Sequence, residues 1–136
     1  YVEMKLLLDT NAYVGFKLGY PGVVEYLIRA ERILMSPIVL GELMFGFRNG
    51  SRYDQNMKEL DLFLADNAVM RIAISEITSD RYSRIAAILK KQGTPIPSND
   101  IWIAAQTMET GTELATLDKH FETIPGLVYR LFQSPS

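Results

Sequence analysis

Four carboxylates stand at positions where an acid is costly, and as a set they point to a bound cation. Asp9 follows the apolar run LLL, Asp118 follows LATL, Glu42 is the only charged residue in PIVLGELMFGF, and Asp100 opens the segment DIWIAAQTMETG. Burying an ionised carboxylate without a partner is expensive, and converging carboxylates repel one another and raise each other's pKa values. A hard divalent cation with oxygen ligands resolves both problems, and Mg²⁺ or Mn²⁺ suits such a ligand set.

Taken singly, three of these acids also have structural explanations. Asp118 can cap the turn KHFETI, and Asp9 can cap the segment after it, although Asn11 is available for that cap. Asp100 lies in the first turn of a predicted helix, where the helix dipole favours a negative charge. Glu42 is harder to explain, because its helix is apolar on nearly every side, which predicts burial, and no basic residue lies within a helical turn of it.

Composition removes several other kinds of chemistry. The 136-residue chain has no cysteine and one histidine, His120, so thiol nucleophiles, disulfides and paired imidazoles are excluded, and a zinc site is disfavoured. The net charge of −2 disfavours a surface coated with basic residues, but a bound cation would add positive charge to a nuclease site. We expect one domain over residues 1–136, with Met4 as the native start and residues 1–3 as an expression remnant. The chain has neither a signal peptide nor an apolar run long enough for a membrane span, and we expect a cytoplasmic protein.

Short apolar segments alternate with amphipathic ones along the chain. Strands are predicted at residues 4–8, 32–36, 69–74, 113–117 and 127–132. Helices are predicted from the Asn11 cap to residue 18, from 21 to 31, from 37 to about 49, within 51–67, over 75–92, and from a Ser98 or Asn99 cap to 111. The helix over 75–92 has the expected apolar stripe Ile77, Tyr82, Ile85, Ile88 and Leu89.

This alternation predicts an α/β fold with a short, mainly parallel sheet and helices on both faces. In such sheets, ligands bind beyond the carboxyl ends of the strands, where the strand order reverses. Asp9 and Asp118 each follow a predicted strand, so we expect them to lie side by side at that edge.

The segments LLLDTNAYV, PIVLGELMFG, SNDIWIAA and LATLDKHF resemble, in order and spacing, the motifs of PIN-domain ribonucleases. Within that family they are most similar to the VapC-type toxins of toxin–antitoxin pairs. The resemblance spans residues 6–132 and implies a PIN-like three-layer sandwich.

The resemblance also implies which residues form the site. The family's acidic quartet, which is both metal-binding and catalytic, falls on Asp9, Glu42, Asp100 and Asp118. Asn11 and Thr116 match positions that orient the ligands, Asn99 lines the cleft, and His120 is interpreted as structural.

The implied activity is metal-assisted hydrolysis of RNA phosphodiester bonds with one or two Mg²⁺ or Mn²⁺ ions. Water is the nucleophile, so the products carry a 5′-phosphate and a 3′-hydroxyl, and Asp9 is the candidate bridge between two ions. The family further implies a homodimer and a VapB-type antitoxin whose C-terminal segment covers the acidic cleft.

Two other functions compete with this interpretation. A haloacid-dehalogenase-like phosphohydrolase also ends its first strand on an aspartate, but it needs a second aspartate where Asn11 stands. A catalytically silent module that binds RNA or a protein partner is the other alternative. Glu42 argues against it, because a binding surface has no use for an acid in an apolar helix, and metal binding would discriminate the two.

Overall fold

The computed structural model describes residues 4–135, so the expected expression remnant at residues 1–3 lies outside the described residues. The strands are β1 (Lys5–Leu8), β2 (Arg32–Met35), β3 (Val69–Arg71), β4 (Glu113–Thr116) and β5 (Tyr129–Leu131). The α-helices are α1 (Thr10–Lys17), α2 (Pro21–Arg29), α3 (Pro37–Asn49), α4 (Tyr53–Leu64), α5 (Glu76–Gln92) and α6 (Ser98–Thr110), and a 3₁₀ helix covers Lys119–Thr123. Within these residues, no helix is both long and apolar enough to cross a membrane.

The five strands form one parallel sheet in the order β3-β2-β1-β4-β5. Parallel connections are right-handed, so the helices between β1 and β3 cover one face and α5 and α6 cover the other. The central strand β1 is therefore buried on both sides, and Leu6, Leu7 and Leu8 are fully buried. This arrangement confirms the predicted α/β three-layer sandwich.

The strand order reverses between β1 and β4. The chain runs outward from β1 to β3 and then returns to the other side of β1, where β4 pairs with it at Leu7 and Leu114. Asp9 directly follows β1, and its backbone N–H donates to the carbonyl of Ala115 at 3.0 Å. The carboxyl ends of β1 and β4 thus frame a cleft at the switch point, which is where ligands bind in sheets of this type.

Two predicted helix caps are wrong. The N-cap of α1 is Asp9 and not Asn11, because the Asp9 carboxylate accepts the N–H of Thr10 at 2.8 Å. The helix α6 begins after Pro97 and has no side-chain cap, although Ser98 and Asn99 are both at hand. In both cases the passed-over residues lie inside the helix.

Burial also departs from the predicted pattern on two outer helices. In the stripe of α5, Ile85 and Leu89 are buried, but Ile77 and Ile88 are exposed. The helix α3 was expected to be buried on all sides, yet Phe45 is 67% exposed. An outer-layer helix of this sandwich meets the sheet along one face only, so the rest of its apolar surface remains open.

Candidate active site

Asp9 is the most buried acid of the site, with 4% of its surface exposed. One carboxylate oxygen accepts the Thr10 N–H, and the other accepts the Thr116 hydroxyl at 2.6 Å. Burial raises the pKa of this carboxyl, the hydrogen bonds from Thr116 and Thr10 lower it, and the charges of Glu42 and Asp118 raise it again. The net shift of the Asp9 pKa is upward, and burial of the carboxylate is its main cause.

Glu42 is held against Asp9 by Thr10. Ser36 caps α3 by accepting the N–H of Ile38, and this cap starts the helix that carries Glu42. The Thr10 hydroxyl donates to one oxygen of Glu42 at 2.6 Å, and the Asn99 amide lies 3.4 Å from the other. Thr10 therefore binds two acids of the cluster, one through its backbone and one through its side chain.

Thr116 connects the two strand ends. Its hydroxyl donates to Asp9 and accepts the backbone N–H of Asp118 at 3.0 Å. The side-chain oxygen of Asn11 accepts the N–H of Leu117 at 3.1 Å, which fixes the segment between Thr116 and Asp118. The 3₁₀ helix starts at Asp118, whose carboxylate accepts the N–H of His120 at 3.0 Å. Asp118 is thus a helix cap as well as a member of the acidic cluster.

Asp100 enters the cleft from the first turn of α6. Burial, then the charges of Asp9, Asp118 and Glu42, raise the pKa of Asp100 to about 6, against a smaller opposing effect of His120. The Asp100 carboxylate accepts no hydrogen bond from any other residue in the described range. Its helix faces inward as predicted, because Ile103, Ala104 and Thr107 are fully buried.

His120, interpreted from sequence as structural, lies at the edge of the acidic cluster, next to Asp100 and Asp118. Its Nε2 atom is 3.1 Å from Asp118 Oδ2, and ligand atoms of Asp100, Asp118 and His120 all lie within 4.8 Å of one another. The sequence carried a signal for this placement, since the only histidine of the chain stands two residues after an acid of the quartet.

The structure places Asp9, Glu42, Asp100 and Asp118 at one end of the sheet, with Asn11, Asn99 and Thr116 around them. Of the described histidine and acidic side chains, only Asp100, Asp118 and His120 have ligand atoms within 4.8 Å of one another, and Asp9 and Glu42 lie outside that group. In residues 4–135, no lysine or arginine lies within ion-pair distance of these four carboxylates. Oxygen donors with unmet negative charge are the ligands that Mg²⁺ and Mn²⁺ prefer, so the residues fit a divalent cation. Thr10 was not predicted as a site residue, although it immediately follows Asp9 in the same motif.

Comparison with known proteins identifies the family. The model of the PIN domain matches residues 6–127. Ribonuclease VapC1 of Haemophilus influenzae is 30% identical over 132 residues, 93% of this chain and 97% of its own, and ribonuclease VapC2 of Rickettsia felis is 31% identical over 130 residues, 92% and 96% of the two chains. The crystal structure of VapBC2 from Rickettsia felis bound to a DNA fragment from its promoter superposes with a TM-score of 0.83 at 29% identity, covering 96% of this chain and 100% of that one. The chain therefore belongs to the PIN-domain family and is a homologue of the VapC ribonucleases.

Proposed function

We propose that this chain is a divalent-metal-dependent endoribonuclease that acts as the toxin of a VapBC-type toxin–antitoxin system. The observation that carries the proposal is the convergence of four acids, from four separate elements, at the switch point of the sheet without a lysine or arginine partner in residues 4–135. The names of the VapC relatives, which are ribonucleases, support the reaction class.

Asp9, Glu42, Asp100 and Asp118 would hold one or two Mg²⁺ or Mn²⁺ ions. Such an ion, when bound, lowers the pKa of a water and offsets charge on the phosphate oxygens. A carboxylate offers about four lone pairs, so Asp9 keeps accepting capacity on each oxygen after binding Thr10 and Thr116. Asp9 would therefore still be able to bind a cation through either oxygen.

The other three acids differ in how firmly they are held. Glu42 accepts from Thr10 and Asn99, and Asp118 is fixed by the backbone of its own 3₁₀ helix. The Asp100 carboxylate alone has no hydrogen-bond donor among the described residues. Because neither carboxylate oxygen is occupied by a hydrogen bond from the described residues, Asp100 can accept one from a water, and it is our candidate for orienting the attacking water.

Cleavage of total cellular RNA tests the proposal. The chain is purified free of antitoxin, supplied with Mg²⁺ or Mn²⁺ or with EDTA, and compared with Asp9→Asn and with the control Asp61→Asn, which removes an exposed acid on α4. We expect discrete cuts that need the metal, persist in the control and are lost in Asp9→Asn, with 5′-phosphate and 3′-hydroxyl ends. Undiminished cutting by Asp9→Asn, or cyclic phosphate ends, would overturn the mechanism. Failure both to cut RNA and to bind Mn²⁺ would favour the silent binding module, whereas Mn²⁺ binding without cutting would mean that the substrate is missing from the RNA tested.

We also propose the partners that a VapC-type toxin requires. The solved neighbours include VapBC complexes, and a groove of about 250 Å³ lies between α1, α3 and α4, lined in part by Val14, Leu18 and Phe47. An apolar segment of a VapB-type antitoxin would suit this groove and could continue over the acidic cleft. A homodimer would cover the exposed Phe45 of α3. We place the action in the cytoplasm, where cellular RNA is within reach.

A further inference from the structure

The imidazole of His120 has no packing role that would explain its position. Its side chain is 48% exposed, and the core of the 3₁₀ helix is supplied instead by Phe121, which is fully buried. A histidine that served only to fill space would be turned into that core. The ring is turned toward the cleft, with its Nε2 atom beside Asp118 Oδ2.

The short helix fixes this convergence. The His120 backbone N–H occupies Asp118 Oδ1, so the second oxygen, Oδ2, is the one that faces the ring nitrogen at 3.1 Å. His120 therefore contacts both oxygens of the Asp118 carboxylate, one through its backbone N–H and the other through its ring. The imidazole and the Asp118 carboxylate form a preset pair of donor atoms.

The spacing of these donor atoms suits a shared cation. With the ligand distances of about 2.0–2.1 Å typical of Mg²⁺, an octahedral ion sets neighbouring ligand atoms about 3 Å apart and opposite ones about 4.2 Å apart, and the larger Mn²⁺ sets them slightly farther apart. The His120–Asp118 separation of 3.1 Å matches the neighbouring distance. With Asp100 added, the three donor atoms lie within 4.8 Å, and theirs is the one such group of histidine or acidic side chains in residues 4–135.

We propose that His120 is a metal ligand of this site, so that the ligand set comprises carboxylates and one imidazole nitrogen. The proposal rests on the proposed function, because it concerns the same cation. Oxygen ligands suit both Mg²⁺ and Mn²⁺, but Mg²⁺ gives up its water ligands reluctantly, and a transition-metal ion accepts an imidazole nitrogen more readily than Mg²⁺ does. The His120 ring would therefore make the site prefer a transition metal such as Mn²⁺ to Mg²⁺.

Pulsed electron paramagnetic resonance on bound Mn²⁺ tests the coordination without any activity measurement. The protein is prepared without a histidine tag, and its single histidine is either unlabelled or labelled with ¹⁵N. We expect ¹⁴N modulation of the Mn²⁺ echo that changes to the ¹⁵N pattern on labelling and disappears in His120→Gln. The control Lys119→Gln removes an exposed charge next to His120 and should keep the modulation.

The outcomes separate this inference from the proposed function. Suppose that the wild-type chain binds Mn²⁺, that Asp9→Asn abolishes this binding, and that the echo shows no histidine modulation. That result would overturn the role of His120 and leave the acidic site in place. An absence of Mn²⁺ binding in the wild-type chain would overturn both.

Calorimetric titration provides a second, independent measurement. Loss of an outer partner of a metal ligand costs about 10–100-fold in affinity, so loss of a ligand should cost at least about tenfold. We expect His120→Gln to weaken the binding of Mn²⁺ by that factor and the binding of Mg²⁺ by much less. The control Lys119→Gln should change the two affinities equally. Equal losses for the two ions in His120→Gln would show that the ring supports Asp118 without contributing a nitrogen ligand, and would overturn the inference.

Discussion

Removing the charge of Asp100 should stabilise the metal-free protein, although Asp100 is a proposed ligand. Its pKa rises from 3.8 to about 6 in the folded state, mainly through burial and then through the charges of Asp9 and Asp118. A shift of about two units corresponds to about 3 kcal/mol, and water reaching a partly exposed carboxylate reduces that figure. Asparagine also loses about 0.3–1 kcal/mol of helix-dipole stabilisation in the first turn of α6. We therefore expect Asp100→Asn to raise the free energy of unfolding by about 1–2 kcal/mol at pH 7.5.

The stabilisation of the metal-free protein by Asp100→Asn should depend on pH in a defined direction. Between about pH 4 and 6 the folded state holds the Asp100 proton more tightly than the unfolded state does, because its folded pKa is the higher one. The contribution of Asp100 to the free energy of unfolding therefore falls as pH rises through that window and stays constant above it. The difference between Asp100→Asn and wild type should be present at pH 7.5 and largely lost below pH 4.

Urea unfolding in EDTA at several pH values measures this difference, and added Mn²⁺ should reverse it. A ligand at 100 times its dissociation constant stabilises the folded state by about 2.7 kcal/mol, and the wild-type site should gain more of this than a site that lacks one acid. The control Asp61→Asn should stay within about 0.5 kcal/mol of wild type throughout. An Asp100→Asn protein less stable than wild type in EDTA at pH 7.5 would refute the claim that the cluster lacks compensating charge.

Three further predictions concern the supports of the site and the open face of α3. Thr116→Val removes the hydroxyl that binds Asp9, and we expect RNA cleavage to fall about 10–100-fold while circular dichroism shows an intact fold; unchanged cleavage would contradict the role of this hydroxyl. Gln106→Leu leaves the buried Ser36 hydroxyl without its side-chain acceptor, so urea unfolding should show a loss of about 1–3 kcal/mol. Phe45→Asp should convert the proposed dimer into a monomer of unchanged stability in light scattering, and a variant that remains dimeric would place the interface elsewhere.

The fold was predictable because its signals are local. The apolar segment Leu6-Leu7-Leu8 predicts a buried parallel strand, and Ser36-Pro37 predicts the start of α3. Both elements lie where they were expected. An acid in an apolar context is also a local signal, and this is why Asp9 and Glu42 could be singled out without a structure.

The errors arise where a long-range contact decides between two locally equivalent residues. Asp9 and Asn11 can both cap a helix, but the oxygen of Asn11 binds Leu117, 106 residues away, which leaves the cap to Asp9. Asn99 likewise turns its amide to Glu42, 57 residues away, instead of capping α6. The exposure of Phe45 has a different cause, because the apolar character of α3 does not reveal how much of it a single chain can cover.

The pairing of Asp9 with Thr116 fixes when, during its own synthesis, the chain can become active. The two residues are 107 positions apart, and the hydroxyl that binds Asp9 belongs to β4, whose pairing with β1 creates the cleft. A nascent chain that ends within α6 already contains Asp9, Glu42 and Asp100, yet it lacks the strand that forms the other wall of the site. Asp9, Glu42 and Asp100 are synthesised first, but they cannot form the site until β4 has been synthesised and has paired with β1. A fragment that ends before residue 116 lacks both Thr116 and Asp118, so the proposed toxicity requires that β4 and the residues directly after it have been synthesised.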